Sequence, residues 1–298
     1  MRLWEGRMKK KFITSAVCFG LFLLLILLVK VVDVADVEAV TGTKIGLSKL
    51  NVAIHDLFGE HLGWYKVTNV LGYLAILIAL GFAAIGGLQL VYRRSVLKVD
   101  KEILLLGCLY IVTIAFYVFF EKVIVNYRPM LMPDGTGPEA SFPSSHTVLS
   151  CVILGSGLGL VKKYAKKNRT VQLVLTVVFA VLLALIVAGR LLSGVHWFTD
   201  IIGGLLLSAA LLNAYEGLLR LWKRLLSALC TTPKPPPVAL PRSSTACGTS
   251  CKRLRKGRLE RAVLFDAVGV NCPEMPRIRN TSGRPVLCGR DKPVEECK

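Results

Sequence analysis

The sequence is poor in charged residues, and acidic residues are the scarcest of them. Charged residues make up 19% of the 298 positions, and Asp and Glu number 19 against 38 Lys and Arg. Hydrophobic residues make up 53%, and the mean hydropathy is +0.56. An ordinary soluble domain carries about 25% charged residues. The composition therefore excludes that class and favours a membrane protein.

Clusters of metal ligands are also missing. Acidic residues are too scattered to hold a divalent ion, and the cysteines after residue 240 lack the close paired spacing of a zinc site. His55 and His61 are six positions apart and share no helical face, so we expect both to be solvated. The sequence predicts no metal, no cofactor and no disulfide framework.

Long apolar runs, in contrast, are frequent. A membrane-spanning helix needs about 20 mostly apolar residues. The candidate runs are 12–32, 67–92, 102–120, 147–161, 170–188 and 198–222. The fourth is short and contains Ser150 and Gly155, which is typical of a partly buried helix. The sequence therefore predicts an all-α, polytopic membrane bundle of about six helices.

Basic residues are concentrated in alternate loops. They cluster in the first eleven residues, between the second and third runs, and between the fourth and fifth. The positive-inside rule places these loops and both termini in the cytoplasm, and segments 33–66, 121–146 and 189–197 outside. Since orientation accounts for much of the net charge of +19, we do not expect a nucleic-acid partner.

Composition divides the chain into three parts. Residues 1–65 form an N-terminal anchor helix with an extracytoplasmic segment, 66–225 form the main membrane domain, and 226–298 form a basic tail containing Pro and Cys. The tail lacks apolar periodicity, so we expect it to be disordered. Its basic cluster at 252–258 fits either a solvated run or contact with anionic lipid headgroups.

Two features of the first part have alternative interpretations. The first apolar run is longer than the 7 to 15 residues of a signal-peptide core, which favours an anchor, although Val37 to Ala39 resembles a cleavage site. The segment 33–66 mixes charged and apolar residues at helical spacing. That pattern predicts an amphipathic helix at the membrane interface.

Three polar segments fall at the predicted outer boundary: 122–129, 142–146 and 189–200. Ionisable groups at this depth are costly and mark functional sites. His196 and Asp200 are spaced i, i+4 at the start of the sixth run, so a helix would bring them to one face. An Asp that accepts a hydrogen bond from one ring nitrogen leaves the other free as a nucleophile.

The other polar residues suit a phosphate group. Pro143, Ser144 and Ser145 resemble the N-terminus of a helix, where backbone N–H groups and serine hydroxyls bind anions. His146 follows and is placed to donate a proton to a leaving group. The cations that would hold phosphate oxygens are Lys122, Arg128 and Arg190.

Together these residues resemble the type 2 phosphatidic acid phosphatases, which are related to the vanadium haloperoxidases. The resemblance spans about 66–222 and rests on Arg128-Pro129, Pro143-Ser144-x-His146, and Arg190 with His196 and Asp200. The chain departs from the family pattern at three positions. Glu121 stands where the family has Lys, with Lys122 one residue late; Ser145 replaces a Gly; and Gly189 replaces a Ser.

The resemblance implies a bacterial-type membrane phosphatase that acts without metal through a phosphohistidine on His196, with His146 as general acid. It implies a lipid phosphate or diphosphate as substrate. Phosphatidic acid, phosphatidylglycerophosphate and undecaprenyl diphosphate fit equally well, because the motifs contact only the phosphate end. A phosphotransferase using the same histidine, and a non-enzymatic lipid-phosphate binder or transporter, stay open as alternatives.

Overall fold

The structure, a computed structural model, describes residues 2–36, 42–131 and 137–230, and the side chains of 6–226 within them. Its α-helices are α1 (Arg2–Val31), α2 (Ser48–Phe58), α3 (Leu62–Arg93), α4 (Lys101–Lys122), α5 (Ser145–Tyr164), α6 (Arg169–Leu192) and α7 (Phe198–Cys230). Strands β1 (Ala35–Asp36) and β2 (Lys44–Ile45) pair antiparallel, with Ala35 opposite Ile45. A short 3₁₀ turn covers Val96–Lys98.

Six of these helices are long and apolar enough to span a membrane, which confirms the predicted helical membrane bundle. The spans are Gly6–Val31, Leu62–Arg93, Lys101–Lys122, Ser145–Tyr164, Arg169–Leu192 and Phe198–Leu226. Five of them contain a predicted apolar run completely, and Gly6–Val31 contains all but the last residue of the run 12–32. The fourth, α5, is the most buried of the six, as its short and partly polar run predicted.

Helix α5 occupies the centre of the bundle, where it lies against α3, α4 and α6. Helix α1 packs through a cluster of phenylalanines: the ring of Phe22 lies 5.7 Å from Phe120 of α4 and 5.8 Å from Phe142 in the α4–α5 connection. Close packing of this kind stabilises helix association within a bilayer, since apolar surface gains little there from leaving lipid. The cluster supports the segment that leads into α5.

One end of the bundle is joined by ion pairs between helix termini. Asp100 lies 2.9 Å from Arg93 and 2.8 Å from Lys163, and Lys163 also contacts Glu102 at 3.0 Å. Partial burial opposes ionisation of Asp100, but the hydrogen bonds from Lys163 and Arg93 outweigh it and lower its pKa to about 2. These pairs link α3, α4 and α5 at the end predicted to be cytoplasmic.

The opposite end carries α2, the short sheet and the connections α4–α5 and α6–α7. The predicted amphipathic helix in 33–66 is α2, which buries Ser48 and Asn51 and exposes apolar side chains. The expectation that His55 is solvated was wrong. Its side chain is 18% exposed, and its ring lies 5.5 Å from that of Trp197, because α2 folds onto the α6–α7 connection.

His61, in contrast, is exposed as expected. The suggested cleavage site at Val37 to Ala39 and the tail from residue 231 onward lie outside the described residues, and the proposed three-part division stays a prediction.

Candidate active site

A pocket opens at this end between α4, the 140–145 segment and the α6–α7 connection. Its polar end is lined by Arg128, Ser141, Ser145 and His196. Aromatic side chains of α4 form one wall: Phe116, Tyr117 and Phe120. The pocket therefore combines a basic, hydroxyl-bearing end with an apolar wall on a membrane-spanning helix.

His196 lies in the α6–α7 connection, two residues before α7 begins. This corrects the expectation that it occupies the start of the helix. The side chain is buried, and it lines the pocket. Its Nε2 has no hydrogen-bond partner within the described ranges. A buried ring nitrogen in this setting has its lone pair available for a ligand.

Ser141 stands between His196 and Asp200. Nδ1 of His196 is 3.8 Å from the Asp200 carboxylate, too far for a hydrogen bond, but 3.1 Å from Ser141 Oγ. Ser141 donates its single hydroxyl proton to Asp200 Oδ2. Its oxygen must then accept from Nδ1–H, which assigns the proton to Nδ1 and leaves Nε2 unprotonated. The expected direct bond from His196 to Asp200 is replaced by this bridge.

Asp200 also stabilises the first turn of α7. Its Oδ2 accepts a hydrogen bond from the backbone N–H of Trp197 at 2.9 Å, as an acidic residue in the first turn does in a capping box. The carboxylate therefore fixes the hydroxyl that orients His196 and the backbone next to His196 at the same time.

The surroundings of His196 favour its neutral form. Burial lowers the pKa of His196 well below its usual value of 6.5, and the positive charges of Arg128 and Arg190 act in the same direction. A neutral imidazole is the form in which Nε2 can attack an electrophile.

Backbone pairing across the α4–α5 connection brings Arg128 to Ser141. Tyr127 forms an antiparallel bridge with Ala140, and Ser141 N–H donates to the carbonyl of Asn126 at 2.9 Å. Arg128 Nε lies 2.9 Å from a carboxylate oxygen of Glu139, which restricts the guanidinium while leaving it at the pocket lining.

Arg190 is fully buried on α6 and is held by α3. It donates to Asn69 Oδ1 and lies 5.3 Å above the ring of Tyr65. It is not among the residues that line the pocket, but its charge acts on both His196 and His146. Arg190 therefore lies outside the pocket lining but close enough to both histidines for its charge to act on them.

The predicted site residues at the N-terminus of α5 point in different directions. Ser144 is buried: its N–H donates to the Asp200 carbonyl at 3.1 Å, and its Oγ accepts from Thr147 at 3.1 Å. Ser145 lines the pocket. His146 turns towards α3, where a Cβ on Gly72 would be 3.0 Å from its ring. Of this segment's predicted site residues, only Ser145 lies at the pocket.

Glu121, and not Lys122, lines the pocket. Lys122 is exposed at the last residue of α4, which follows from the rotation of about 100° per helical residue. Geometry therefore gives no support to a phosphate-binding role for Lys122.

Close packing explains why Gly189 stands where the family pattern has a Ser. A Cβ at this position would lie 2.5 Å from Thr68 Cγ2 and 3.0 Å from the Trp64 ring, both on α3. Any larger side chain, including the Ser of the family pattern, would push α3 and α6 apart.

Sequence reasoning missed Ser141 and Glu139. Both belong to an irregular connection, where neither helical spacing nor a capping signal distinguishes a functional side chain from a solvated one. In the part of the chain that the structure describes, no three His, Cys, Asp or Glu side chains are grouped to hold a metal ion.

Comparisons with known proteins point to a family and to a similar fold. Residues 102–222 match the family model described as the PAP2 superfamily. Among solved structures, the fold is similar to the first transmembrane PAP2 type phosphatidylglycerolphosphate phosphatase from Bacillus subtilis, with a TM-score of 0.52 and 18% identity. The match covers 71% of this chain and 98% of that one. A search of curated proteins finds no match.

The matched region begins in α4 and ends in α7, so it contains every predicted site residue. The family match supports a phosphoric ester hydrolase, and the six apolar helices make the protein a multi-pass membrane protein. The prediction from the sequence motifs is confirmed: residues 102–222 form a region that matches the PAP2 superfamily.

Proposed function

We propose that this protein hydrolyses a lipid phosphate at the extracytoplasmic face of the membrane, through a phosphohistidine formed on His196. The observation that carries the proposal is the buried His196 ring, protonated on Nδ1 through Ser141 and Asp200, with its unpartnered Nε2 at a pocket that also contains Arg128.

The reaction has two steps. Nε2 of His196 attacks phosphorus, the bond from phosphorus to the ester oxygen breaks, and the lipid alcohol leaves with a proton. The family resemblance assigns that proton to His146, whose ring faces α3 but lies close enough to His196 for their charges to interact. Water then attacks the phosphohistidine, the bond from nitrogen to phosphorus breaks, and His146 takes the proton of that water. The products are the lipid alcohol and inorganic phosphate, and His196 is regenerated.

Electrostatic stabilisation of the transferred group comes from the two arginines. Arg128 lies at the pocket and the charge of Arg190 reaches both histidines, so both arginines oppose the negative charge that develops on the equatorial oxygens. Ser145 adds a hydroxyl donor at the N-terminal end of α5. Ser144 is buried there and accepts a hydrogen bond from Thr147, which stabilises the first turn of the helix. Lys122 has no part in this scheme.

The apolar wall of the pocket favours a lipid. Phe116, Tyr117 and Phe120 extend from the phosphate end along α4, a membrane-spanning helix. An acyl or isoprenoid chain would follow this wall into the bilayer. Phosphatidylglycerophosphate is the first substrate to test because the similar solved structure carries that name; phosphatidic acid and undecaprenyl diphosphate are the alternatives.

The sidedness follows from charge. The basic loops lie at the end opposite the pocket, and the positive-inside rule places them in the cytoplasm with both termini. The pocket then faces the extracytoplasmic leaflet, where it would draw its substrate from the surrounding membrane lipids.

The test is phosphate release by detergent-purified protein in EDTA from each of the three lipids. His196→Ala should lower kcat by about a thousandfold or more, and His61→Ala, which removes an exposed histidine, is the matched control. Equal release by wild type and His196→Ala would contradict the proposal. Transfer of phosphate to an added alcohol in place of water would indicate the phosphotransferase, and lipid binding without turnover would indicate the binder.

A further inference from the structure

In the described part of the chain, no side chain just before helix α7 accepts a hydrogen bond from its first N–H groups; Asp200 accepts from the N–H of Trp197, which precedes the helix. The first N–H groups of a helix have no intrahelical acceptor, and a Ser, Thr, Asp or Asn just before the helix commonly supplies one. The residue before α7 is Trp197, whose indole has a donor and no acceptor. That donor contacts the carbonyl of Tyr127 at 2.7 Å. An acceptor for the first turn must therefore come from elsewhere.

Asn51 of α2 supplies it. Its Oδ1 accepts from the backbone N–H of Thr199 at 3.2 Å, and its Nδ2 donates to Thr199 Oγ1 at 3.0 Å and to the Gly46 carbonyl at 2.9 Å. The side chain is fully buried. A buried amide with both ends bonded in this way fixes the relative position of the segments it joins.

The turn that Asn51 caps is the one that organises the histidine. Thr199 lies between His196 and Asp200, and Asp200 holds both the Trp197 N–H and the Ser141 hydroxyl. A shift of this turn would move the carboxylate, and the Ser141 bridge to Nδ1 would move with it.

Two further contacts connect α2 to the same connection. The His55 ring lies 5.5 Å from that of Trp197. Gly194 has a φ of 71°, and a Cβ there would be 3.0 Å from the Cα of Glu60, just beyond α2. Only glycine meets both conditions without strain. The segment 51–60 therefore supports the α6–α7 connection and the start of α7 at three points, and Asn51 is the hydrogen-bonded one.

We propose that Asn51 is a positioning residue for His196: it caps α7 from α2 and so holds the Ser141 and Asp200 bridge in register with the pocket. The effect on turnover rests on the phosphatase function proposed above, whereas the capping itself does not. Because Asn51 does not line the pocket, its loss should affect kcat much more than KM.

The experiment compares wild type with Asn51→Leu and Asn51→Asp. Leu has a similar volume and removes every hydrogen bond, whereas Asp keeps an acceptor for Thr199 N–H. Asn213→Leu is the matched control, since Asn213 also hydrogen-bonds within the bundle, through Lys11 and the Ala209 carbonyl, near the middle of α7. The readouts are hydrogen exchange of peptides covering 193–202, and kcat and KM for phosphatidylglycerophosphate in detergent micelles.

We expect Asn51→Leu to speed exchange in 193–202 and to lower kcat by about tenfold to a hundredfold, with KM changed less than about threefold. Asn51→Asp should recover much of kcat, and Asn213→Leu should match wild type in both readouts. If Asn51→Leu does not fold, Asn51→Ser gives the same test, because its hydroxyl is too short to reach Thr199 N–H.

Each other outcome is decisive. Unchanged exchange in 193–202 would overturn the capping role, and faster exchange with wild-type kcat would overturn the positioning role. Faster exchange in a protein whose wild type releases no phosphate would support the cap and refute the phosphatase proposal.

Discussion

At the scale of single residues, the bridge from His196 through Ser141 to Asp200 explains how one nitrogen is kept free. The i, i+4 spacing correctly indicated that His196 and Asp200 lie close together. Nδ1 of His196 is 3.8 Å from the Asp200 carboxylate, however, and its hydrogen bond is to Ser141 instead. No rule of spacing would have found Ser141, since it reaches the pair through backbone pairing with Asn126 across an irregular connection.

Removing the bridging hydroxyl tests its role. Ser141→Ala should lower kcat by about tenfold to a hundredfold, the cost of losing one or two buried hydrogen bonds to charged or reacting groups, with little change in KM. Ser156→Ala is the matched control, because Ser156 is equally buried but bonds its own helix at Val152 and Ile153. Steady-state kinetics on a lipid phosphate measure both, and equal kcat values for the two variants would contradict the bridge.

The low pKa of His196 predicts a dependence of stability on pH. Below about pH 6.5 the unfolded chain protonates this histidine and the folded protein does not, so its burial costs progressively more stability as pH falls. The slope from this one group is at most about 1.4 kcal/mol per pH unit. His196→Gln should therefore lose less stability than wild type between pH 6.5 and 5 in thermal unfolding, and identical pH dependences would contradict the assigned shift.

At the scale of helices, hydropathy predicted the six spans because apolar length is a property of the local sequence. Contacts between helices were harder to predict from the sequence. Asn51 looked like one polar residue in an amphipathic segment, and only its contact with Thr199 shows why α2 turns polar side chains inward. Lys122 was predicted for its charge although motif spacing falls on position 121, and helix rotation does put Glu121 at the pocket.

The contact between α3 and α6 can be tested at Gly189. Gly189→Ser should destabilise the protein by about 1–3 kcal/mol, because its Cβ would overlap Thr68 Cγ2. Thr68→Ser removes that methyl group and should restore part of the loss. Gly159→Ser on α5, where a Cβ meets nothing within 4 Å, is the control. Thermal unfolding in detergent measures all of them, and a Gly189→Ser protein as stable as the Gly159→Ser control would refute the overlap.

At the scale of the whole molecule, charge and geometry divide the bundle into two ends. The ion pairs around Asp100 join α3, α4 and α5 at one end, and the pocket lies at the other. Composition and hydropathy predicted the fold, and motifs predicted part of the site, because each of these signals lies within a short stretch of sequence. The positions of Glu139, Ser141 and Asn51 depend on how distant segments meet.

The predicted orientation can be measured with a membrane-impermeant maleimide. His61→Cys adds a thiol at the pocket end and Lys167→Cys adds one at the other end; both positions are exposed. In intact cells, His61→Cys should label above the parent protein, and Lys167→Cys should label only after permeabilisation. The reverse pattern would place the pocket on the cytoplasmic side.

The central claim is that His196 carries the phosphoryl group. Its most direct test is a rapid quench of wild-type protein with phosphate-labelled phosphatidylglycerophosphate, or with whichever of the three lipids it turns over, followed by peptide mapping at alkaline pH, where phosphohistidine survives. We predict label on the peptide containing His196, formed at a rate at least equal to kcat and absent from His196→Ala. Turnover without a labelled enzyme, or label on another residue, would contradict it.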